Sequence, residues 1–115
     1  MIGFNHLGRH GRLGNQMFQY AGLRGIAAKH GYEFCIPPSD FQDQWMDHQL
    51  FEAFKLPGLT NIAVCPGPYV QEEHFHFDQN LFDRMPDGHN VYGYLQSEKW
   101  FKHIVSEIRE DFEFK

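Results

Sequence analysis

At 115 residues the chain is long enough for one domain with a real core, and 42% hydrophobic and 17% aromatic residues, with 12 Phe, exclude a disordered composition. A formal net charge of −5 argues against general nucleic-acid binding. No stretch reaches the roughly 18 apolar residues that a membrane span needs, and the first four residues lack a signal-peptide pattern, so a soluble, cytoplasmic protein is expected. Charge is unevenly placed. Residues 1–32 contain Arg9, Arg12, Arg24 and Lys29 and no acid, a local charge of +4, and the rest of the chain carries −9. That pattern fits a nearby anion, or a helix that needs few charges.

Residues 2–7 form a short, mostly apolar run suited to a first strand. The next seven residues hold Gly8, Gly11 and Gly14 and read as a loop. A helix is expected from Asn15 to about His30, stopped by Gly31. Met17, Phe18, Tyr20, Ala21, Leu23, Ile26, Ala27 and Ala28 spread almost all round it, so it should be buried. The amides Asn15, Gln16 and Gln19 share one arc of roughly 100° at its start and could face a polar ligand together.

Residues 32–36 read as a second strand, stopped by Pro37-Pro38, which completes a βαβ unit. Cys35 there and Cys65 further on have no CxxC spacing and read as free buried thiols. A helix with Leu50, Phe51 and Phe54 should follow Asp47. Residues 57–90 are rich in Pro, Gly and His, with short strands expected at 62–65 and 74–77. Residues 91–95 look like a buried strand, and Ser97 caps a helix that aligns Trp100, Phe101, Ile104, Val105 and Ile108. The whole reads as α/β, a mostly parallel sheet covered by helices.

The glycine loop carries the clearest chemistry. Glycines let backbone N–H groups approach a ligand, and a following helix start adds partial positive charge suited to phosphate. Arg12 would add a forked, charge-assisted contact. The spacing is neither a Rossmann GxGxxG nor a Walker loop. A tight strand-to-helix turn is the simpler reading of such a loop taken alone.

The longer string is more specific. Gly11-Arg12-Leu13-Gly14-Asn15-Gln16-Met17-Phe18-Gln19-Tyr20-Ala21 resembles the amino-terminal signature of glycosyltransferase family 11, the α-1,2-fucosyltransferases. Gly93-Tyr94-Leu95-Gln96-Ser97-Glu98-Lys99-Trp100-Phe101 resembles that family's second string, in the right order and at a fitting distance. The resemblance covers essentially the whole chain. It implies a Rossmann-like, parallel-sheet lobe of a two-lobed GT-B glycosyltransferase. It also implies GDP-fucose as donor substrate, inversion at the anomeric centre, and transfer to the 2-hydroxyl of a terminal galactoside, with no metal or other cofactor. By similarity to protein O-fucosyltransferases, Gly11, Arg12, Gly14, Asn15 and Gln16 would line the donor cleft, with Gln19 one turn further in.

The family's His-x-Arg-Arg-x-Asp motif, whose arginine is thought to bind the donor diphosphate, does not occur in this sequence. Residues 1–115 therefore correspond to the amino-terminal lobe alone, without the donor-binding lobe. Little turnover is expected from one wall of a two-walled site, and the face left open would favour self-association. The alternative is a short non-catalytic module that keeps the lobe's fold and binds a glycan or a protein.

Three further groups are open to a role. His74 and His76 share one strand face, with Glu72 or Asp78 nearby, but a metal site needs three or four ligands and a half-exposed strand is the simpler reading. Asp40, Asp43, Asp47, Glu72, Glu73 and the eight histidines are all available as the base that transfer requires, and spacing selects none. Trp45, in a polar loop, is the best candidate for sugar stacking, whereas Phe51 and Phe54 recur at core spacing.

Overall fold

Four short strands pair in parallel in the order β2-β1-β4-β3 in the computed structural model, which describes residues 1–7, 13–38, 50–72 and 77–115. They are β1 (Ile2–Gly3), β2 (Phe34–Cys35), β3 (Tyr69–Gln71) and β4 (Asn90–Tyr92). Between and after them come α1 (Leu13–His30), α2 (Leu50–Ala53), α3 (Gln79–Arg84) and α4 (Val105–Asp111). Register is fixed by Ile2 opposite Phe34, Gly3 opposite both Cys35 and Asn90, and Val70 opposite Val91. Parallel neighbours cannot be joined by a tight hairpin, so each crossover carries a helix or a long connection. The outcome is a small compact α/β domain, with a Cα radius of gyration of 12.7 Å, consistent with a Rossmann-like lobe.

Helix α1 organises this domain. Its end is as expected: Gly31 adopts φ +71°, and the Tyr32 N–H donates to the Ala27 carbonyl at 2.9 Å. That six-to-one bond is the Schellman closure, which only a residue tolerant of positive φ permits cheaply. Nine of the 18 residues of α1 are buried. Ile2, Tyr20, Leu23, Ile26, Phe34, Leu50, Phe54, Leu95 and Trp100 belong to one core cluster. The helix is apolar all round because it is covered on several sides: by β1 and β2, by α2 and α3, and by the segment after β4.

That last contact needs small residues. A methyl group on Gly22 would come within 2.7 Å of Leu95 Cδ1, and one on Gly25 would overlap the Trp100 carbonyl. Residues 98–104 run as two 3-10 turns, Glu98–Trp100 and Lys102–Ile104, in place of the continuous helix expected. Their tight turns lay the Trp100–Phe101 backbone directly on Gly25. Trp100 and Ile108 are buried as expected, but Val105 is exposed, so the single apolar face does not form. Ser97 does cap the first turn, accepting from Lys99 N at 3.2 Å.

Other boundaries shift for local reasons. The first strand ends at Gly3, and the chain turns at Asn5–Leu7, where Leu7 N bonds Phe4 O at 3.1 Å. Residues 62–65 contribute only a bridge, Ile62 to Ile36. The strand expected at 91–95 begins at Asn90 and stops at Tyr92, because Gly93 (φ +157°) and Leu95 (φ +51°) turn the chain. Residues 74–76 lie outside the described residues. Strand β3 and helix α3, the latter capped by Asp78 at 3.0 Å from Leu81 N, arise in a region whose composition suggested neither.

The sheet face away from α1 is closed by polar groups. Gly3 and Asn90 meet the segment around Cys65. Asn5 Nδ2 donates to Cys65 O at 2.8 Å and Cys65 N donates back to Asn5 Oδ1 at 2.9 Å. Asn90 Nδ2 donates to Cys65 O and Gly67 O, each at 3.0 Å. These backbone-like clamps satisfy groups that would otherwise be buried without partners. Cys35 and Cys65 are free and buried, and burial together with the neighbouring Cys65 pushes the Cys35 thiol up to about 11.

A second clamp ties down the carboxyl-terminal segment. Asp111, fully buried, accepts from Tyr20 OH at 2.6 Å, from the Arg24 guanidinium, and from Gly58 N at 2.8 Å. Burial first, and then the Asp111 contact, raise the Tyr20 hydroxyl above its ordinary pKa. Removing the carboxylate with Asp111→Ala would leave Arg24 uncompensated, and a loss of about 3–5 kcal/mol is expected by urea denaturation.

Tyr20 and Cys35 also set an alkaline limit. Both folded-state values lie above the unfolded ones, so the protonated forms are favoured by folding. Their stabilisation is complete below about pH 9 and is lost as pH rises further, at up to ~1.4 kcal/mol per pH unit and group. Unfolding midpoints measured between pH 8 and 10.5 should fall, and Cys35→Ala should remove the part of the decline that begins at the lower pH.

Candidate functional site

Open parallel sheets gather ligands outside the carboxyl ends of their strands. Three pieces of this chain meet at that edge: the turn leaving β1, the amino terminus of α1, and residues 93–97 leaving β4. The first N–H groups of an α-helix lack intrahelical partners, and the helix dipole adds partial positive charge.

The candidate residues fall into separate groups there. Gly11 and Arg12, and also Trp45, lie outside the described residues. Gly14 is exposed in the first turn of α1, and a methyl group placed on it meets no described atom within 4 Å. Asn15 is half-buried, and its Oδ1 accepts from Gln96 Nε2 at 2.6 Å. Gln16 and Gln19 are wholly buried. Gln19 Nε2 donates to Gly93 O at 3.2 Å, while its Oε1 is buried without a hydrogen-bond partner among the described residues. The three amides therefore do not face one ligand together. Asn15 is half-exposed, Gln16 is buried, and Gln19 ties α1 to the turn after β4.

The two sequence strings are one packing unit. Asn15 meets Gln96, Gln19 meets Gly93, Gly22 meets Leu95 and Gly25 meets Trp100. Sequence reasoning missed the part played by Glu72. Its Oε1 accepts from Tyr94 N at 3.1 Å and Leu95 N at 3.4 Å, and a side chain on Gly93 would strike it. Of the five acids considered as bases, Glu72 alone lies among the described residues, and it is occupied in holding this turn. Asp40, Asp43, Asp47 and Glu73 lie outside them.

On the sheet face away from α1, His6, Tyr69 and Tyr92 pack edge to face. His6 lies 5.1 Å from Tyr69 and 5.2 Å from Tyr92 between ring centroids, with Nε2 3.1 Å from Tyr69 OH. Only the long-range pairing of β4 with β1 and β3 brings these rings together, so no local spacing announces them. An apolar groove of about 380 Å³ lies on the outer side of α1, lined by Met17, Phe18, Phe101, Val105 and Phe112. It offers little to a nucleotide.

Among the described residues no group of three or more His, Cys, Asp and Glu could hold a metal ion, and His74 and His76 lie outside them. Nor is any described helix long and apolar enough to cross a membrane. Comparison of the chain with protein-family models, with curated proteins and with solved structures finds no match.

The placement separates binding from folding roles. Gly14→Ala is expected to leave the urea midpoint unchanged or to raise stability by about 0.5–1 kcal/mol, because the site is open and helical. Gln19→Ala should lower stability by about 1–3 kcal/mol, through a lost bond and a buried void.

Proposed function

We propose that this chain is the amino-terminal, acceptor-side lobe of an inverting, GDP-fucose-dependent glycosyltransferase of GT-B type that acts on terminal galactosides. One observation carries the reading. The two strings that resemble the α-1,2-fucosyltransferases meet through residue pairs 74 and 81 positions apart, at the edge of a parallel sheet where such folds bind ligands. A coincidental pair of similar strings has no reason to pack as one surface.

In this reading the amino terminus of α1 faces the donor diphosphate. Its first-turn N–H groups, with Gly14 and Asn15 and, by resemblance, Gly11 and Arg12, stabilise the negative charge that GDP acquires as the sugar leaves. Gln16 and Gln19 act as positioning residues from inside. The galactose hydroxyl attacks the anomeric carbon opposite the departing GDP and gives up its proton to a base. One lobe supplies only one wall, so turnover requires the second.

Two measurements test this. Calorimetry with GDP should show weak binding that Asn15→Ala reduces without changing the melting temperature. Joining the chain to a second lobe of the family should give GDP-fucose-dependent transfer to a β-galactoside. A folded chimera that transfers nothing, on a lobe that binds no GDP, would count against the enzyme and for a glycan- or protein-binding module.

A further inference from the structure

Toward the far end of α1, where Lys29 stands about 24 Å from the helix start at 1.5 Å per residue, lies a second concave site with a different character. It is an open cleft of about 570 Å³ between α1, α3 and the two 3-10 turns. Lys29, Lys99, Lys102 and His103 line it, over the rings of Phe77 and Phe82, and no acidic residue is among its described lining residues. In a chain where acids outnumber Lys and Arg by 15 to 10, four basic side chains with no acid among the described lining residues are not what a random surface patch presents.

Lys29 and His103 are held in place from below. Lys29 Nζ lies 5.8 Å from the Phe82 ring centroid. His103 Nε2–H donates to Gly25 O at 2.8 Å, which turns its other nitrogen away from that bond, and its ring packs on Phe82 at 5.5 Å. Phe77 and Phe82 rest on the buried Trp100, at 4.7 and 6.1 Å. Among the described residues none of the three lysine ammonium groups has an ion-pair partner. Two acids of the neighbouring helix α3 are engaged locally: Asp78 accepts from Leu81 N at 3.0 Å and Asp83 from Gln79 Nε2 at 2.9 Å.

From this geometry we infer that the cleft binds a phosphate ester carried on a planar ring. Three ammonium groups fit the dianionic phosphate. The two phenylalanine rings give the planar group an apolar floor for offset or edge contacts. A cleft of this volume suits a ligand of mononucleotide size, and free phosphate would leave the floor unused. The site is separate from the sheet edge assigned to the sugar nucleotide and does not depend on that assignment.

The probes are phenyl phosphate, adenosine 5′-monophosphate and O-phosphotyrosine, titrated calorimetrically into the intact chain against inorganic phosphate and phenol. Phenyl phosphate should bind at least about tenfold more tightly than either of its halves, and more weakly as salt is raised. The double change Lys99→Glu and Lys102→Glu, at exposed positions, should weaken it at least about tenfold with the melting temperature kept, whereas Asn15→Ala should not affect it. The tighter of the nucleotide and the phosphotyrosine identifies the source of the ring. Inorganic phosphate binding as tightly as the ester, unchanged binding in the double variant, or no binding of any ester at millimolar concentration would each overturn the inference.

Discussion

Close approach of the segment after β4 to the small-residue face of α1 is the constraint on which the rest of the structure depends. Gly22 and Gly25 leave no room for a Cβ because Leu95 and the Trp100 backbone occupy that space. Packing of this kind gains dispersion contacts along a whole ridge, and a single added methyl has nowhere to go. It also explains the unusual backbone above it. Leu95 holds φ +51°, a conformation that costs a non-glycine residue of order 1–3 kcal/mol. Full burial of its side chain and two N–H donations into Glu72, from Tyr94 and Leu95, offset that cost. Burying α1 and bending the chain after β4 are thus one event.

The two faces of the sheet are closed by different physics. Toward α1 the layer is apolar, with Ile2, Phe34 and Val91 in the common core. On the other face, Asn5 and Asn90 use side-chain amides to pair with the backbone around Cys65 and Gly67, as an extra strand would. An amide offers both donor and acceptor, so it can pair with backbone groups that lack a strand partner. The close fit of Gly3 against Cys65 Cβ, which a methyl group would meet at 2.5 Å, belongs to the same arrangement. A polar seam of this kind gives no hydrophobic periodicity, which is why β3 was not foreseen among residues 57–90.

Legibility followed the range of the interaction. The extent of α1, its stop at Gly31, the cap at Ser97 and the parallel α/β class depend on neighbours in sequence and were readable. The short strands, the break of residues 98–104 into 3-10 turns, and the clamp of Asp111 on Tyr20, Arg24 and Gly58 depend on contacts tens of residues away and were not. At the candidate site, Asn15 and Gln19 both meet the segment after β4, at Gln96 and Gly93. What that side faces was hidden, because the covering segment begins at Gly93. Amide side chains are as useful for satisfying a buried turn as for binding a sugar, and position on a helix does not distinguish the two.

The acid-free, +4 stretch at the start of the chain then divides into three functions. Arg24 is committed to the buried Asp111, so its charge is neutralised locally and adds little at a distance. Lys29 sits in the last turn of α1, where it complements the helix dipole and faces the basic cleft. Neither contributes to the field at the opposite end of the helix, given screening over roughly 8 Å at physiological salt. Arg9 and Arg12, the other two cations of the stretch, lie outside the described residues. In the proposed reading, a diphosphate at the amino terminus of α1 would rely on backbone N–H groups and the helix dipole rather than on Arg24 or Lys29. Such contacts are short-ranged and directional, and they favour an anion seated closely on a helix terminus over one attracted loosely to a basic surface.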